Sequence, residues 1–574
     1  MHIDVVPNRE SRPTYLLRES FREGTSVRKR TLANLSSLSD AQIAAIRRVL
    51  RGEALCAPAS LFEVIASRPA GHVQAVTVAM RGLQIERLLA PRPSPKRDLV
   101  PAMTAARIVS PNTNLPTPRQ WHSTTLAEDF GVADADEDDL YGAMDWLLAH
   151  QDSIQKKLAT RHLEQGGLVL YDLSSSYFEG LTCPLAKLGY SRDGRRGMLQ
   201  VNYGLLTDAR GCPVAVSVYE GNVSDSQTLV PEVERLRSSF GIERMVMVGD
   251  RGMISSKAIG ELRQSAGLDW ITALKSTSIR GLLEQGHLQL GLFDERNLVE
   301  IDSPDYPGER LIACRNPQLA KLRAHKREDL LGCTQRNLEK VQQRVAAGKL
   351  VGRERIGVAV GRVINQYKVA KHFELDIEDG SLRWRRDERS IRAEAALDGI
   401  YIIRTSVPAD RMDGPDCVRN YKSLASVERA FRSLKTVDLK VRPIHHRTAD
   451  RVRAHILLCM LAYYVEWHMR EAWRELMFAD TELRAKATRD PVAPARRSAA
   501  ALTKIAVREL DDGSPVHSFQ TMLGDLSSIV RNTCRTPEAA EGEPTFEATA
   551  PTGVGVFDTL KAVAKQVLME LRKK

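Results

Sequence analysis

Two short apolar runs end on an aspartate: Gly167–Asp172 reads GLVLYD and Arg244–Asp250 reads RMVMVGD. Runs of this length, rich in valine and leucine, have the pattern of strands buried on both faces of a sheet. In an open α/β sheet, ligands sit at the carboxyl ends of such strands. Neighbouring strands lie about 4.8 Å apart, so two carboxylates at such ends can share a pair of metal ions. Metal pairs in phosphoryl-transfer sites sit about 3.5–4 Å apart and take carboxylate oxygens on both ions. Each aspartate alone also has a plainer reading. Asp172 precedes Leu173-Ser174-Ser175-Ser176 and could open a turn or cap a helix; Asp250 in Gly249-Asp250-Arg251-Gly252 could belong to an ordinary turn.

Working outward, Leu199–Leu206 and Pro213–Tyr219 read as strands, the second with Val214, Val216 and Val218 alternating. Ser226–Phe240 and Ser255–Gln264 read as helices, and Trp270–Leu274 as a strand. Strands in a meander, then helices alternating with strands, describe an α/β layer with a mixed sheet. Residues 276–397 break the rhythm with short strand-like pieces around a long charged helix at Pro317–Ala347. Asp398–Thr405 returns as a strand, and 417–474 is helical.

A third carboxylate lies in that last stretch. Tyr421–Lys435 reads YKSLASVERAFRSLK and suits one helix, on which Tyr421, Leu424, Glu428 and Lys435 line a stripe. Leu424, Val427, Phe431 and Leu434 form the face that packs on a sheet, with Glu428 at its edge. The alternative is an amphipathic helix with a solvated Glu–Arg edge.

The set Asp172, Asp250 and Tyr421-x2-Leu424-x3-Glu428-x6-Lys435 resembles the DDE transposases of bacterial insertion sequences. More narrowly, it is similar to the group with a Tyr-Arg-Glu-Lys signature and a β-rich insertion before the glutamate. The flanking text agrees: YDLSSSYFEG (171–180), GYSRDGRRG (189–197), YGLLTD (203–208), EGNVSD (220–225), VGDRGM (248–253), VERAFRSLK (427–435) and RPIHHR (442–447). The resemblance implies a ribonuclease H-like catalytic core in which Asp172, Asp250 and Glu428 hold two Mg²⁺ or Mn²⁺ ions. It implies an insertion at about 276–397, double-stranded DNA as partner, and a homodimer on paired DNA ends. Where the family pattern places arginine this chain has Leu424, which cannot hold a phosphate; Arg432 is the candidate replacement.

Other side chains are candidates for DNA contact. Around the glutamate these are Tyr421, Arg429, Arg432 and Lys435; downstream they are Arg442, His445 and His446; on the sheet side, Arg195, Arg196 and Arg251. Phosphate contact and a purely structural role both stand for the two histidines, since hard Mg²⁺ prefers oxygen. Asp193 reads as a turn residue, and Asp208 and Asp225 as extra acids inside the family-like text, for which metal ligation is a remote alternative. Between 429 and 453 eight Lys/Arg stand against Asp438 and Asp450, and between 315 and 356 eleven stand against four acids. Such tracks suit a polyanion, although the second could be a solvated helix face.

The 574 residues divide into several domains, and the formal charge of +11 leans towards a nucleic-acid partner. The expected divisions are a β-rich basic arm at 1–52, a helical DNA-binding region at 53–165, and the catalytic core in two parts, 166–275 and 398–475. The insertion separates those parts, and 476–574 forms a tail, partly disordered, with a terminal helix at Phe557–Lys573. In the arm, Thr14–Ser20 and Val27–Leu32 read as strands around a turn at Glu23-Gly24. Arg28, Lys29 and Arg30 there could face DNA or solvent. The acidic run Asp134–Asp139 reads as a cap for a helix over Leu140–Leu163. No two of the eight cysteines stand in C-x-x-C spacing, so free thiols in a reducing cytoplasm are expected and a zinc site is not. His455–Trp467 is too short an apolar run to span a bilayer, which needs about 20 residues, and reads as a buried core helix; no membrane partner is expected.

The expected function is therefore a transposase that binds terminal inverted repeats, hydrolyses phosphodiesters at the element ends and joins the 3′-hydroxyl to target DNA. Two rivals stand beside it: a non-catalytic DNA-binding remnant, and a nuclease of the same fold that never joins. A glycosidase with paired carboxylates needs an aromatic sugar cleft, and aromatics are only 5% of the chain.

Overall fold

The structure is a computed structural model describing residues 1–8, 12–53, 63–111, 121–293, 296–482, 488–535 and, for the backbone, 546–550. These fall into two compact units, one reaching to Pro69 and resuming at Ile529, the other Ala70–Ser528.

In the first unit β1 (His2–Val6), β2 (Thr14–Glu23) and β3 (Ser26–Asn34) form an antiparallel meander. Gly24 has φ +63 in the β2–β3 turn, where a side chain would be strained. The basic run on β3 is engaged within the unit: Arg28 lies 2.8 Å from Glu23, Lys29 3.0 Å from Asp4, and Arg30 2.9 Å from Glu19. A helix at Asp40–Leu50 follows, started by a reciprocal cap between Ser39 and Gln42. β4 (Glu63–Pro69) pairs with Val530–Arg535, which pairs in turn with Phe546–Ala550. That last strand lies within the tail expected to be partly disordered. Residues 536–545 and the helix expected at Phe557–Lys573 lie outside the described residues.

The second unit is organised by an eight-stranded mixed sheet. Its strands are β5 (Leu168–Tyr177), β6 (Gln200–Asp208), β7 (Pro213–Glu220), β8 (Met245–Val248), β9 (Leu268–Ala273), β10 (Leu298–Ile301), β11 (Arg310–Arg315) and, after the hairpin β12 (Phe373–Ile377) and β13 (Leu382–Arg386), β14 (Ile400–Thr405). The spatial order is β10-β11-β14-β9-β8-β5-β6-β7. β5, β6 and β7 form an antiparallel meander, β8 and β9 run parallel to β5, and β14, β11 and β10 complete the edge in antiparallel pairings. Every residue of β6 and β8 is buried. That double-sided burial is why β8, MVMV, reads as an unbroken apolar run; β6 is buried as fully but carries Gln200, Asn202, Thr207 and Asp208.

Helices cover the sheet. The acidic run does cap a helix, Glu137–Ala149: Asp136 accepts from Asp139 N at 2.9 Å and Asp139 accepts from Asp136 N at 3.2 Å. The stretch read as one helix to Leu163 is two, because the backbone leaves helical geometry at His150 before Gln151–His162 begins. Helix Ala449–Ala472 contains His455–Trp467, all of it buried, and packs on helices Pro95–Val109 and Glu137–Ala149 and on β7. No described helix is long and apolar enough to cross a membrane.

Between β9 and β14 lies the segment expected as a β-rich and helical insertion, and it holds both strands and long helices. β10 and β11 extend the main sheet instead of forming a separate one. Most of what remains is helical: Pro317–Ala346, within one residue of its expected end, packs with Arg353–Gln366 and the β12–β13 hairpin. Leu331, Leu338, Val341, Ile356, Val360 and Phe373 make a core of their own there.

Candidate active site

The register of the parallel pair ends two residues before an acid on each side. Leu168, Val169 and Leu170 on β5 stand opposite Val246, Met247 and Val248 on β8. Two residues further along each chain come Asp172 and Asp250. β8 stops at Val248, so Asp250 lies in the loop beyond its end. Its Oδ1 accepts from Gly252 N at 2.9 Å and Met253 N at 2.8 Å, an Asx turn that fixes the side chain. Asp172, expected at a strand end, is in the middle of β5. β6 pairs with β5 from Val169 to Tyr177 and keeps it extended after β8 has finished, with Asp172 opposite Leu205. Asp172 Oδ1 accepts from Leu173 N at 2.8 Å.

The third acid comes from the helical segment, which is not the single helix expected over Tyr421–Lys435. One helix runs Gly414–Lys422 and a second Leu424–Arg432. A π-helical turn, Ser433–Val437, follows. Tyr421 therefore belongs to the first, Glu428 to the second and Lys435 to the turn. Val427 and Phe431 are buried, and Phe431 meets Tyr203 of β6 edge-on at 5.7 Å. This face sets helix Leu424–Arg432 across β5 and leaves Glu428 exposed. Among the described residues Glu428 has no hydrogen-bond or ion-pair partner.

Electrostatics tie the three together. Burial first, with the Asp250 and Glu428 charges adding to it and the Leu173 N–H and Arg192 pulling the other way, holds the Asp172 carboxyl up at about 7. Burial pushes the Tyr421 hydroxyl up to about 12, with Asp250, Glu428 and Asp172 adding to the effect and Arg251 opposing it. Asp172, Asp250, Glu428, Tyr421 and Arg251 thus share one neighbourhood. The three acids offer only hard oxygen donors, a chemistry that fits Mg²⁺ or Mn²⁺. As a set their oxygens are not all within 4.8 Å of one another.

The remaining candidates fall into two groups. Arg196, Arg251, Arg429 and Arg432 are exposed, and none makes an ion pair among the described residues. Arg195 is also exposed, its guanidinium 4.2 Å above the Tyr177 ring. Lys435 and Arg442, in contrast, are turned inward. Lys435 is only 8% exposed, with Nζ 3.0 Å from Asp193 Oδ1, and Arg442 pairs with the same oxygen. The π turn takes Lys435 off the α-helical stripe that would have put it beside Glu428. Asp193, read as a turn residue, is a buried hub whose other oxygen accepts from Tyr177 N at 3.1 Å. The sequence signal for it, an acid inside the basic GYSRDGRRG stretch, is visible only in hindsight. His446 is half-buried against His455, and burial pushes its imidazole down to about 4, so it is neutral near pH 7. His445 is exposed, 3.7 Å from Glu179. Asp225 pairs with Arg192, and Asp208 accepts from Arg210 at 2.7 Å and from Cys212 N at 2.9 Å.

Comparison with known proteins gives three findings. A family profile described as "Transposase DDE domain" matches residues 181–465, which include Asp250 and Glu428 and begin just after Asp172. A second, "IS1634 family transposase, N-terminal domain", matches residues 3–58. A 30-residue stretch is 77% identical to the mutual gliding-motility protein MglA of Myxococcus xanthus. It covers 5% of this chain and 15% of that protein, too little to carry a functional argument. The two transposase profiles match separate segments that together make up more than half of the sequence, and the chain belongs to the insertion-sequence DDE transposases.

Proposed function

We propose that this protein binds the terminal inverted repeats of its element, hydrolyses a phosphodiester at each end, and joins the freed 3′-hydroxyl to target DNA. The observation that carries this reading is that Asp172 and Asp250 each follow by two residues the last pair of the parallel β5–β8 register, Leu170 and Val248, with Glu428 on the helix packed across β5. We read the sheet as a ribonuclease H-like core, supported by the antiparallel β5-β6-β7 meander with β8 and β9 added parallel to β5.

In this reading Asp172, Asp250 and Glu428 hold two Mg²⁺ or Mn²⁺ ions, which when bound activate the attacking oxygen and stabilise the leaving one. Asp172 must be ionised to serve; with its carboxyl raised to about 7, a bound cation would favour the ionised form. The Asx turn holds Asp250 with one oxygen occupied and the other available. Arg251, Arg429 and Arg432 supply positive charge at the exposed rim, and Tyr421 offers a protonated hydroxyl to a phosphate oxygen. Lys435 and Arg442 instead brace the buried Asp193 carboxylate. Action at two DNA ends calls for two copies of the chain, and a homodimer belongs to the same proposal.

The test is cleavage of an inverted-repeat duplex in Mg²⁺. Asp172→Asn, Asp250→Asn and Glu428→Gln should each abolish nicking while end binding persists; robust nicking by any of them overturns the assignment. A pre-cleaved end offered with a target plasmid then separates a transposase from a nuclease that cannot join.

A further inference from the structure

Away from the carboxylates, His162, Cys212 and His468 converge from three parts of the second unit. His162 ends helix Gln151–His162, Cys212 closes the β6–β7 turn, and His468 lies on the buried helix Ala449–Ala472. One ligand atom from each lies within 4.8 Å of the other two, and Cys212 Sγ is 3.9 Å from His468 Nε2. Cys212 is buried and both histidines are half-buried.

The surroundings hold these side chains in place. Gly211, at φ +87, makes the tight turn that carries Cys212 inward, and Cys212 N donates to Asp208 Oδ1 at 2.9 Å. Arg210 lies 2.7 Å from Asp208 and stacks 5.2 Å from the Trp467 ring. Its charge is neutralised by that aspartate, although it comes within 3.4 Å of His162 Nδ1. Tyr464 Oη lies 3.0 Å from His162 Nε2 and accepts from Arg161 at 3.1 Å. The Tyr464 and Trp467 rings pack edge-on to His468 at 4.7 and 4.9 Å.

We propose that His162, Cys212 and His468 form a binding site for a borderline-soft divalent cation, Zn²⁺, separate from the carboxylate site and different in chemistry. Two imidazole nitrogens and one thiolate are a zinc donor set, with bonds of about 2.0–2.1 Å to nitrogen and about 2.3 Å to sulfur. Ligand atoms on a tetrahedral ion at those bond lengths stand about 3.5 Å apart, so the sulfur–nitrogen separation already approaches the bound geometry. On binding, the Cys212 S–H bond gives its proton to solvent, the sulfur bonds the metal, and both imidazoles bind neutral. Water takes the fourth position from the half-exposed histidine side. Mg²⁺ does not compete, because it prefers oxygen. The ion would clasp two helices and a strand turn that are far apart in the chain, and so raise thermal stability. Spacing rules for cysteine pairs could not find the site, since Cys212 and His468 are 256 positions apart.

The test uses the full-length, metal-stripped protein with Co²⁺ as the spectroscopic probe in excess Mg²⁺. One equivalent of Co²⁺ should produce a thiolate-to-metal charge-transfer band and strong tetrahedral visible bands, and one equivalent of Zn²⁺ should bleach both and raise Tm. Cys212→Ser should abolish the charge-transfer band, whereas Cys333→Ser and Glu428→Gln should leave it intact. His162→Gln and His468→Gln should weaken Co²⁺ binding by more than the roughly 10–100-fold that loss of an outer-shell partner costs. These half-exposed histidine variants decide the matter if Cys212→Ser does not fold. A wild-type protein without the thiolate band, a band surviving Cys212→Ser, or histidine variants binding as tightly as wild type would each overturn the site.

Discussion

Replacing Asp172 by asparagine should abolish cleavage and at the same time stabilise the metal-free protein. The carboxyl at 172 is raised from 3.8 to about 7, first by burial and then by its two acidic neighbours. Below about pH 4 the group is protonated in both folded and unfolded chains and contributes no difference. Between about 4 and 7 the unfolded chain loses its proton while the folded chain keeps it, so stability falls as pH rises. At 1.36 kcal/mol per unit, the penalty levels off above pH 7 at roughly 4 kcal/mol. Asparagine is never charged and its Oδ1 can still accept from Leu173 N. Chelator-treated wild type and Asp172→Asn should therefore unfold alike near pH 4 and diverge steadily up to pH 7, with the variant more stable at pH 8. Mg²⁺ should then stabilise wild type and leave the variant nearly unmoved. Urea unfolding at a series of pH values reads all of this. If the two proteins were equally stable at pH 8 without metal, Asp172 would not be the desolvated, acid-crowded group described here.

Three further outcomes follow from the same geometry. Lys435→Met should lower stability by about 3 kcal/mol, as expected when one partner of a buried ion pair is removed, and leave the salt dependence of DNA binding almost unchanged; a slope reduced by about one would instead make Lys435 a phosphate contact. Arg429→Ala and Arg432→Ala, both exposed and without ion pairs, should do the reverse: each should reduce the salt slope by about one and shift stability by less than about 0.5 kcal/mol, and unchanged slopes would take these arginines out of the DNA track. Phe431→Ala should cost about 3–5 kcal/mol and weaken cleavage as well, because the ring seats the Glu428 helix against Tyr203 of β6; full cleavage with lost stability would show that Glu428 is positioned by something else.

Much of the architecture is legible from local chemistry. The apolar runs ending at Asp172 and Asp250, the alternation of Val214, Val216 and Val218, the acid-capped helix after Asp136 and the long helix from Pro317 all declare themselves through nearest neighbours in the chain. The three acids proposed for the site are conspicuous in the same way, since each stands at the end or edge of an apolar pattern that must pack. What the chain alone could not show is where a pattern stops or what partner it finds. β5 runs past Asp172 because β6, starting 23 residues after β5 ends, continues to pair with it. The helix expected over Tyr421–Lys435 breaks at Ser423 and turns π-helical at Ser433. Ser433 Oγ lies 2.6 Å from Asp438 and 2.8 Å from Glu466, in a buried network closed by Arg470. Lys435 is thereby delivered to Asp193, 242 positions away. Hydrophobic periodicity and capping act over a few residues and are written in the sequence. Pairing of buried charges and strand extension depend on contacts between distant segments, and only the tertiary structure decides those.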